Sequence, residues 1–266
     1  MKIIRHQSPA GPAYAAVKSD GSAWEVCGDL FEGFIMTESP AILGRCLAPI
    51  APPNIFGIGL NYRQHATAIG RKLPDSPMLF IKSTNTLQHP ESDIILPGEF
   101  GGHAVDYEGE LAVIIGRNCR NVSREDALDY VLGYTCANDV TARDWQFQLG
   151  GGQFSQGKSF DTFCPLGPLL ITKDEILDPG QLRISTKVNG EVRQNASTSE
   201  MLFDVPSLIS FLSRGKTLLP GTVILTGTPH GVGYTSTPPI FLKPGDRVEV
   251  HIEGIGTLAN SVIGGD

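Results

Sequence analysis

Residues 106–116 read DYEGELAVIIG and place two glutamates, Glu108 and Glu110, two positions apart at the entrance to an apolar run. On a strand, alternate side chains share a face, so both carboxylates would point the same way. Two like charges side by side repel unless a cation separates them. A third acid, Asp139, follows another apolar stretch, VLGYTCA. Three carboxylates at strand ends suit a hard, oxygen-seeking dication such as Mg²⁺, Mn²⁺ or Ca²⁺, whereas zinc favours His and Cys. Glutamates spaced in this way also decorate the solvated faces of edge strands, so the spacing alone is a weak signal and the neighbours must decide.

A second candidate fails on its context. Residues 152–159, GQFSQGKS, match the phosphate-binding pattern GxxxxGK[ST]. That loop needs an apolar strand before it and a helix after it, so that backbone N–H groups face the phosphate. Here WQFQLGGG precedes it, and Pro165 and Pro168 follow it and forbid a helix. The GIG at residues 57–59 lacks the third glycine of a dinucleotide fingerprint.

Bulk properties narrow the field. The chain has 266 residues, 41% of them apolar, enough for a sizeable core. Its net charge of −7 argues against a nucleic-acid surface. It also means that an anionic ligand would be drawn in by local cations rather than by the whole field. The five cysteines are odd in number and include no CxxC pair, which points to reduced thiols and a cytoplasmic protein rather than a disulfide framework. No run approaches the roughly 18 apolar residues of a membrane span, and MKIIRHQSPAG carries no apolar leader segment.

The elements that must position these residues are short. Thirty-one glycines and 19 prolines punctuate many apolar runs, the pattern of a strand-rich fold. Strands are expected at residues 14–17 and 23–26, followed by a weakly helical stretch and a Pro-rich connector, LAPIAPPN, at residues 47–54. FGIGLNY, MLFIKS and ELAVIIG also read as strands. REDALDYVLG, from Arg124, reads as helical. So does DVPSLISFLSRG, with Asp204 to cap it, Pro206 in its first turn and Gly215 to end it. Thr141 and Asp144 have capping-box spacing for a helix start. Asn189-Gly190 signals a hairpin, and residues 242–256 a second hairpin region. Few helices, irregularly interleaved with strands, favour an α+β, mainly β fold over a doubly wound sheet.

Six ordered motifs resemble the fumarylacetoacetate hydrolase family: FGIGLNYRQHA, DYEGELAVIIG, NDVTARDWQ, GKSFDTFCPLGP, ILTGTPHGVG and LKPGDRVEVHIEGIGTLAN. The resemblance covers roughly residues 50–263. It implies a mixed β-roll catalytic domain at residues 51–266 behind a small N-terminal domain at residues 1–50, a homodimer, and one Mg²⁺ or Mn²⁺ per subunit. By position it makes Glu108, Glu110 and Asp139 the metal ligands. Arg143, Gln146, Lys158 and Thr228 would contact substrate, with Lys158 also catalytic. The physics agrees: a 2-oxo acid chelates a dication through carboxylate and carbonyl oxygens, and Lys158 and Arg143 can offset the negative charge of a three-carboxylate site.

The function implied is a metal-dependent enzyme acting on a small 2-oxo acid or acylpyruvate, by C–C hydrolysis or decarboxylation through a stabilised enolate. One departure bears on that. Hydrolysing and decarboxylating members usually carry His-x-x-Glu after GLNY, on a lid helix, whereas this chain has His65-Ala66-Thr67-Ala68. An alanine can neither accept a proton nor orient an imidazole. His65 remains the candidate base. Two alternatives follow: an isomerase or tautomerase of unsaturated 2-oxo acids, and a non-catalytic binder of 2-oxo acids. His103 and His230 read as loop histidines. Substrate specificity is expected from the lid, residues 67–77, and the loop at residues 150–152.

Overall fold

A computed structural model describes residues 1–68 and 70–265. Its largest sheet starts with a meander, in which Gly33–Pro40, Ala23–Asp29, Gly11–Val17 and Lys2–Ser8 pair antiparallel in that spatial order. Lys2–Ser8 then joins Cys164–Thr172, and the sheet continues through Val131–Asn138, Gly109–Ile115, Val223–Leu225, Ile55–Gly59 and Met78–Lys82. Val223–Leu225 and Ile55–Gly59 run parallel. A second sheet holds Glu191–Ser197, Arg183–Val188, Arg247–Ile252, Gly256–Gly264 and Ile94–Leu96. The chain is mainly β, as its punctuation implied.

Gly109–Ile115 is buried along its whole length. Leu111, Val113 and Ile115 pack into the core shared with Ile184, Val250 and Leu258 of the second sheet, while Ala112 and Ile114 face Ile3, Ile50, Ile55 and Leu166. Both faces being covered explains the near-continuous apolar run. The helix Val205–Ser213 closes one side of the first core. The Asp204 carboxylate accepts from Ser207 N, Pro206 sits in the first turn, and Gly215 follows at φ 67°. Asn189 and Gly190, both at positive φ, turn the hairpin between Arg183–Val188 and Glu191–Ser197. Residues 242–256 contain the other hairpin's first strand and its turn.

Three local expectations are corrected. The stretch expected as weakly helical before residue 50 forms the strand Gly33–Pro40, because Asp29 Oδ1 accepts from Phe31 N and Glu32 N and turns the chain back onto Ala23–Asp29. The helix expected from Arg124 shrinks to a 3₁₀ turn, Ala127–Tyr130, since sheet pairing claims Val131 onward. The capping box at Thr141 does not form. Thr141 pairs in a short ladder with Asp106 and its hydroxyl donates to Asp139 O, while Asp144 accepts from His103 N. Residues 47, 48 and 50 of the Pro-rich connector are core residues.

Candidate active site

Register creates the carboxylate cluster. Gly109–Ile115 and Val131–Asn138 pair antiparallel with Gly109 opposite Asn138 and Glu110 opposite Ala137. One step further, Asp139 N donates to Glu108 O at 2.8 Å, so Asp139 lies across from Glu108. Cross-strand partners share a face, as do residues two apart on one strand. Glu108, Glu110 and Asp139 therefore converge, with one oxygen from each within 4.8 Å of the others, and all three are buried.

Cations of the chain surround them. Lys158 Nζ lies 2.8 Å from Glu108 Oε2 and 2.6 Å from Asp139 Oδ2. Lys82 Nζ lies 2.7 Å from Asp139 Oδ1 and donates to Val140 O at 3.2 Å. Arg143 Nη2 lies 2.7 Å from Glu108 Oε1 and 2.8 Å from Asp106 Oδ2, and its Nη1 donates to Gln146 Oε1 at 2.8 Å. Asp106, fully buried, also accepts from Arg143 Nε, Gly233 N and Tyr234 N, tying the guanidinium to the loop that carries Tyr234. The Tyr234 ring covers Arg143 at 4.4 Å.

The charges are unevenly balanced. Burial would raise the Glu108 carboxyl, but Lys158 and Arg143 outweigh it and hold the group at about 2. Burial pushes Glu110 well above the usual carboxylate range, and Asp139 and Glu108 push it further; Lys158 and the Gly227 N–H, 2.6 Å from Oε2, only partly oppose this. Burial holds the His65 imidazole down to about 4, against the pull of Glu108.

One pocket open to solvent is lined by His65, Glu108, Arg143, Gln146, Lys158 and Thr228. The expected substrate-contacting residues thus share a single cavity beside the carboxylates. His65, on the short helix Arg63–Ala68, is buried, and its Nδ1 has no hydrogen-bond partner among the described residues. Ala68 is exposed on the same helix. The Thr228 hydroxyl is engaged within the protein: it donates to Gly109 O at 3.0 Å and accepts from Gln194 Nε2 at 2.8 Å. Lys158 follows the short helix Phe154–Gly157 and is bound to carboxylates, so the rejected phosphate loop is absent in structure as well. His103 is exposed and His230 half-buried, and neither lines the cavity. Of the two segments expected to set specificity, the lid contributes Arg71. Residues 150–152 contribute nothing, but Phe147 and Phe154 on either side of them do.

Sequence reasoning missed Asp106, Lys82, Tyr234 and Arg71. Asp106 carried a usable signal, since it extends the two-residue spacing of Glu108 and Glu110. Lys82 ends the apolar run MLFIK, another faint sign of a buried cation. Nothing local marks Tyr234.

Residues 54–263 match the family model described as fumarylacetoacetate (FAA) hydrolase C-terminal. The chain belongs to the fumarylacetoacetate hydrolase family. It is 49% identical over 219 residues to the oxaloacetate tautomerase YisK of Bacillus subtilis (strain 168), covering 81% of this chain and 72% of that protein. It is 47% identical over 218 residues to the mitochondrial oxaloacetate tautomerase fahd2 of Xenopus laevis, covering 82% and 68%. Among solved structures, the 5-carboxymethyl-2-hydroxymuconate delta-isomerase from Mycobacterium smegmatis superposes with a TM-score of 0.87 at 40% identity over 100% of both chains. These relatives are tautomerases and an isomerase, so they overturn the expected order of reactions: the isomerase alternative stands ahead of C–C hydrolysis or decarboxylation.

Members of the family generally bind a divalent metal, and the cluster fits one. Its donors are all oxygens, and Glu110 is a buried carboxylate whose like-charged neighbours the chain's own cations do not fully compensate. No helix among the described residues is long and apolar enough to cross a membrane.

Proposed function

We propose that the protein is a divalent-metal-dependent tautomerase or isomerase of small 2-oxo acids, with oxaloacetate as the first substrate to test. Glu108, Glu110 and Asp139 would hold Mg²⁺ or Mn²⁺, which would polarise the oxo and carboxylate oxygens of the substrate. Enolisation takes a proton from C3, and the C–H electron pair moves into the C2–C3 bond as the carbonyl oxygen gains charge. His65 is the group we assign to that proton: burial keeps its imidazole neutral and its Nδ1 has no partner among the described residues. Lys158 shares its ammonium between Glu108 and Asp139 beside the cavity and would stabilise the enolate oxygen. Arg143 and Gln146 would orient the substrate carboxylate, and Thr228 shapes the wall.

The observation that carries this reading is the lid itself. A buried neutral histidine can pass a proton back and forth, but no carboxylate stands at position 68 to help it drive water onto a carbonyl. Proton NMR of oxaloacetate in D₂O with Mg²⁺ or Mn²⁺ tests it. Deuterium should enter C3 faster than pyruvate appears. Pyruvate formation keeping pace with exchange, or no exchange by metal-bound protein, would sink the proposal.

We also infer a homodimer and a cytoplasmic location. Leu79 and Ile81 are exposed on the edge strand Met78–Lys82, an apolar surface suited to a second copy. All five cysteines are free, as in a reducing compartment. Light scattering coupled to size exclusion checks the first, and a mass near 28.5 kDa would refute it.

A further inference from the structure

Three cationic side chains other than histidine line the cavity: Arg143, Lys158 and Arg71. The first two are already shared. Arg143 is engaged by Asp106, Glu108 and Gln146, and Lys158 by Glu108 and Asp139. They can orient the oxo-carboxylate end of a ligand at the carboxylate cluster, but their charge is largely met.

Arg71 differs. Its backbone N–H donates to Ala66 O at 3.0 Å, which fastens it just after the lid helix. Its guanidinium has no ion-pair or hydrogen-bond partner among the described residues, whereas the neighbouring Lys72 pairs with Asp75 at 3.6 Å. The side chain is exposed, so it stands at the mouth of the cavity, and its charge reaches the Tyr234 phenol on the cavity wall. Other parts of the wall are apolar, with Met78, Phe80, Phe147 and Phe154 among its residues. A carboxylate laid against those side chains would lose hydration without replacement. A ligand with charge at both ends and carbon between them avoids that cost.

We propose that Arg71 binds the distal carboxylate of a dicarboxylic 2-oxo acid and so selects dicarboxylic over monocarboxylic substrates. The inference rests on the tautomerase reading for the identity of the inner, oxo-carboxylate end. A guanidinium–carboxylate contact at the rim is modest because water competes for both partners, but it is present for one ligand class and absent for the other.

The test compares binding of 2-oxoglutarate and 2-oxobutanoate to the Mg²⁺-loaded protein by calorimetry, in wild type, Arg71→Gln and Arg71→Lys. Wild type should favour 2-oxoglutarate. Arg71→Gln should erode that preference by about twofold to fivefold, the scale of an exposed guanidinium–carboxylate pair. Arg71→Lys should recover part of it, which repair of a merely disturbed lid would not do. Equal weakening of both ligands in Arg71→Gln, or an unchanged preference, overturns the proposal. The two readings fail separately. If wild type exchanges the C3 protons of oxaloacetate but the preference does not depend on Arg71, only the Arg71 proposal falls. If the preference depends on Arg71 but no exchange occurs, the tautomerase reading falls and Arg71 keeps its role.

Discussion

His65 is a histidine whose environment favours the neutral form, and its proton chemistry should show that. An ordinary imidazole loses its basic form below about pH 6.5. Burial holds His65 down to about 4, so its basic form persists at pH 5–6. The acid limb of kcat/KM for C3 exchange should therefore fall below pH 6; a limb centred at 6.5 would contradict the assignment. Replacing it, His65→Gln, should cut exchange by about 10²–10⁴-fold, the usual worth of a positioned acid–base group. Metal affinity, read by calorimetry, should stay within about twofold of wild type, since His65 is not among the clustered carboxylates. Ala68 is three positions on from His65 on the same short helix, close enough for side chains to meet. Ala68→Glu should then add a carboxylate beside the imidazole and raise hydrolysis of an acylpyruvate, read as pyruvate release, at least about tenfold above the parent. No gain would mean that the missing acid is not what restricts the reaction.

At the level of elements, the site depends on where strands end. Val223–Leu225 stops against Gly109–Ile115, and the turn after it brings the Gly227 N–H to Glu110 Oε2. Gly227 sits at φ 100°, and a Cβ there would lie 2.7 Å from that of Asn61, whose amide nitrogen donates to Thr226 O and Phe203 O. Only glycine satisfies both constraints. Gly227→Ala should pull the turn from Glu110 and weaken Mn²⁺ binding by about tenfold or more, given that a lost hydrogen bond to a charged group is worth roughly 1.5–3 kcal/mol. Calorimetric titration with Mn²⁺ measures this, and wild-type affinity in the variant would show that the turn does not support the cluster. Gln194 plays a similar part from the second sheet: its amide bridges Gly109 N, Thr228 Oγ1 and Pro229 O, locking the Thr228 loop to the carboxylate strand.

For the whole molecule, two sheets packed through Gly109–Ile115 place four acids, Asp106, Glu108, Glu110 and Asp139, among three cations, Lys82, Arg143 and Lys158. A dication held by Glu108, Glu110 and Asp139 would bind only the folded chain. At 100 times its dissociation constant it should stabilise the fold by about 2.7 kcal/mol, roughly 5–10 °C in Tm for a chain of this size. Adding EDTA should remove the shift, and the double variant Glu108→Gln, Glu110→Gln should not show it. A Tm unmoved by Mg²⁺ and Mn²⁺ across millimolar concentrations would refute the metal assignment. The N-terminal meander is hydrogen-bonded to the same sheet, and Ile3, Leu47, Ala48 and Ile50 are buried. A small N-terminal domain at residues 1–50 is our proposal, and the sheet and the core run on across its boundary.

The opening pair of glutamates was legible from local order: alternation, apolar neighbours and six motifs in sequence were enough for the family and a mainly β fold. The hairpin at Asn189-Gly190 and the helix capped by Asp204 were legible for the same reason, since a turn or a cap is decided by a few adjacent residues. Convergence of Asp139 on the glutamates is a matter of strand register between segments about thirty residues apart, which no local pattern determines. The same holds for Lys82, Asp106 and Arg71. Their roles depend on which charge faces which across the sheet and around the cavity, and only the tertiary structure decided that.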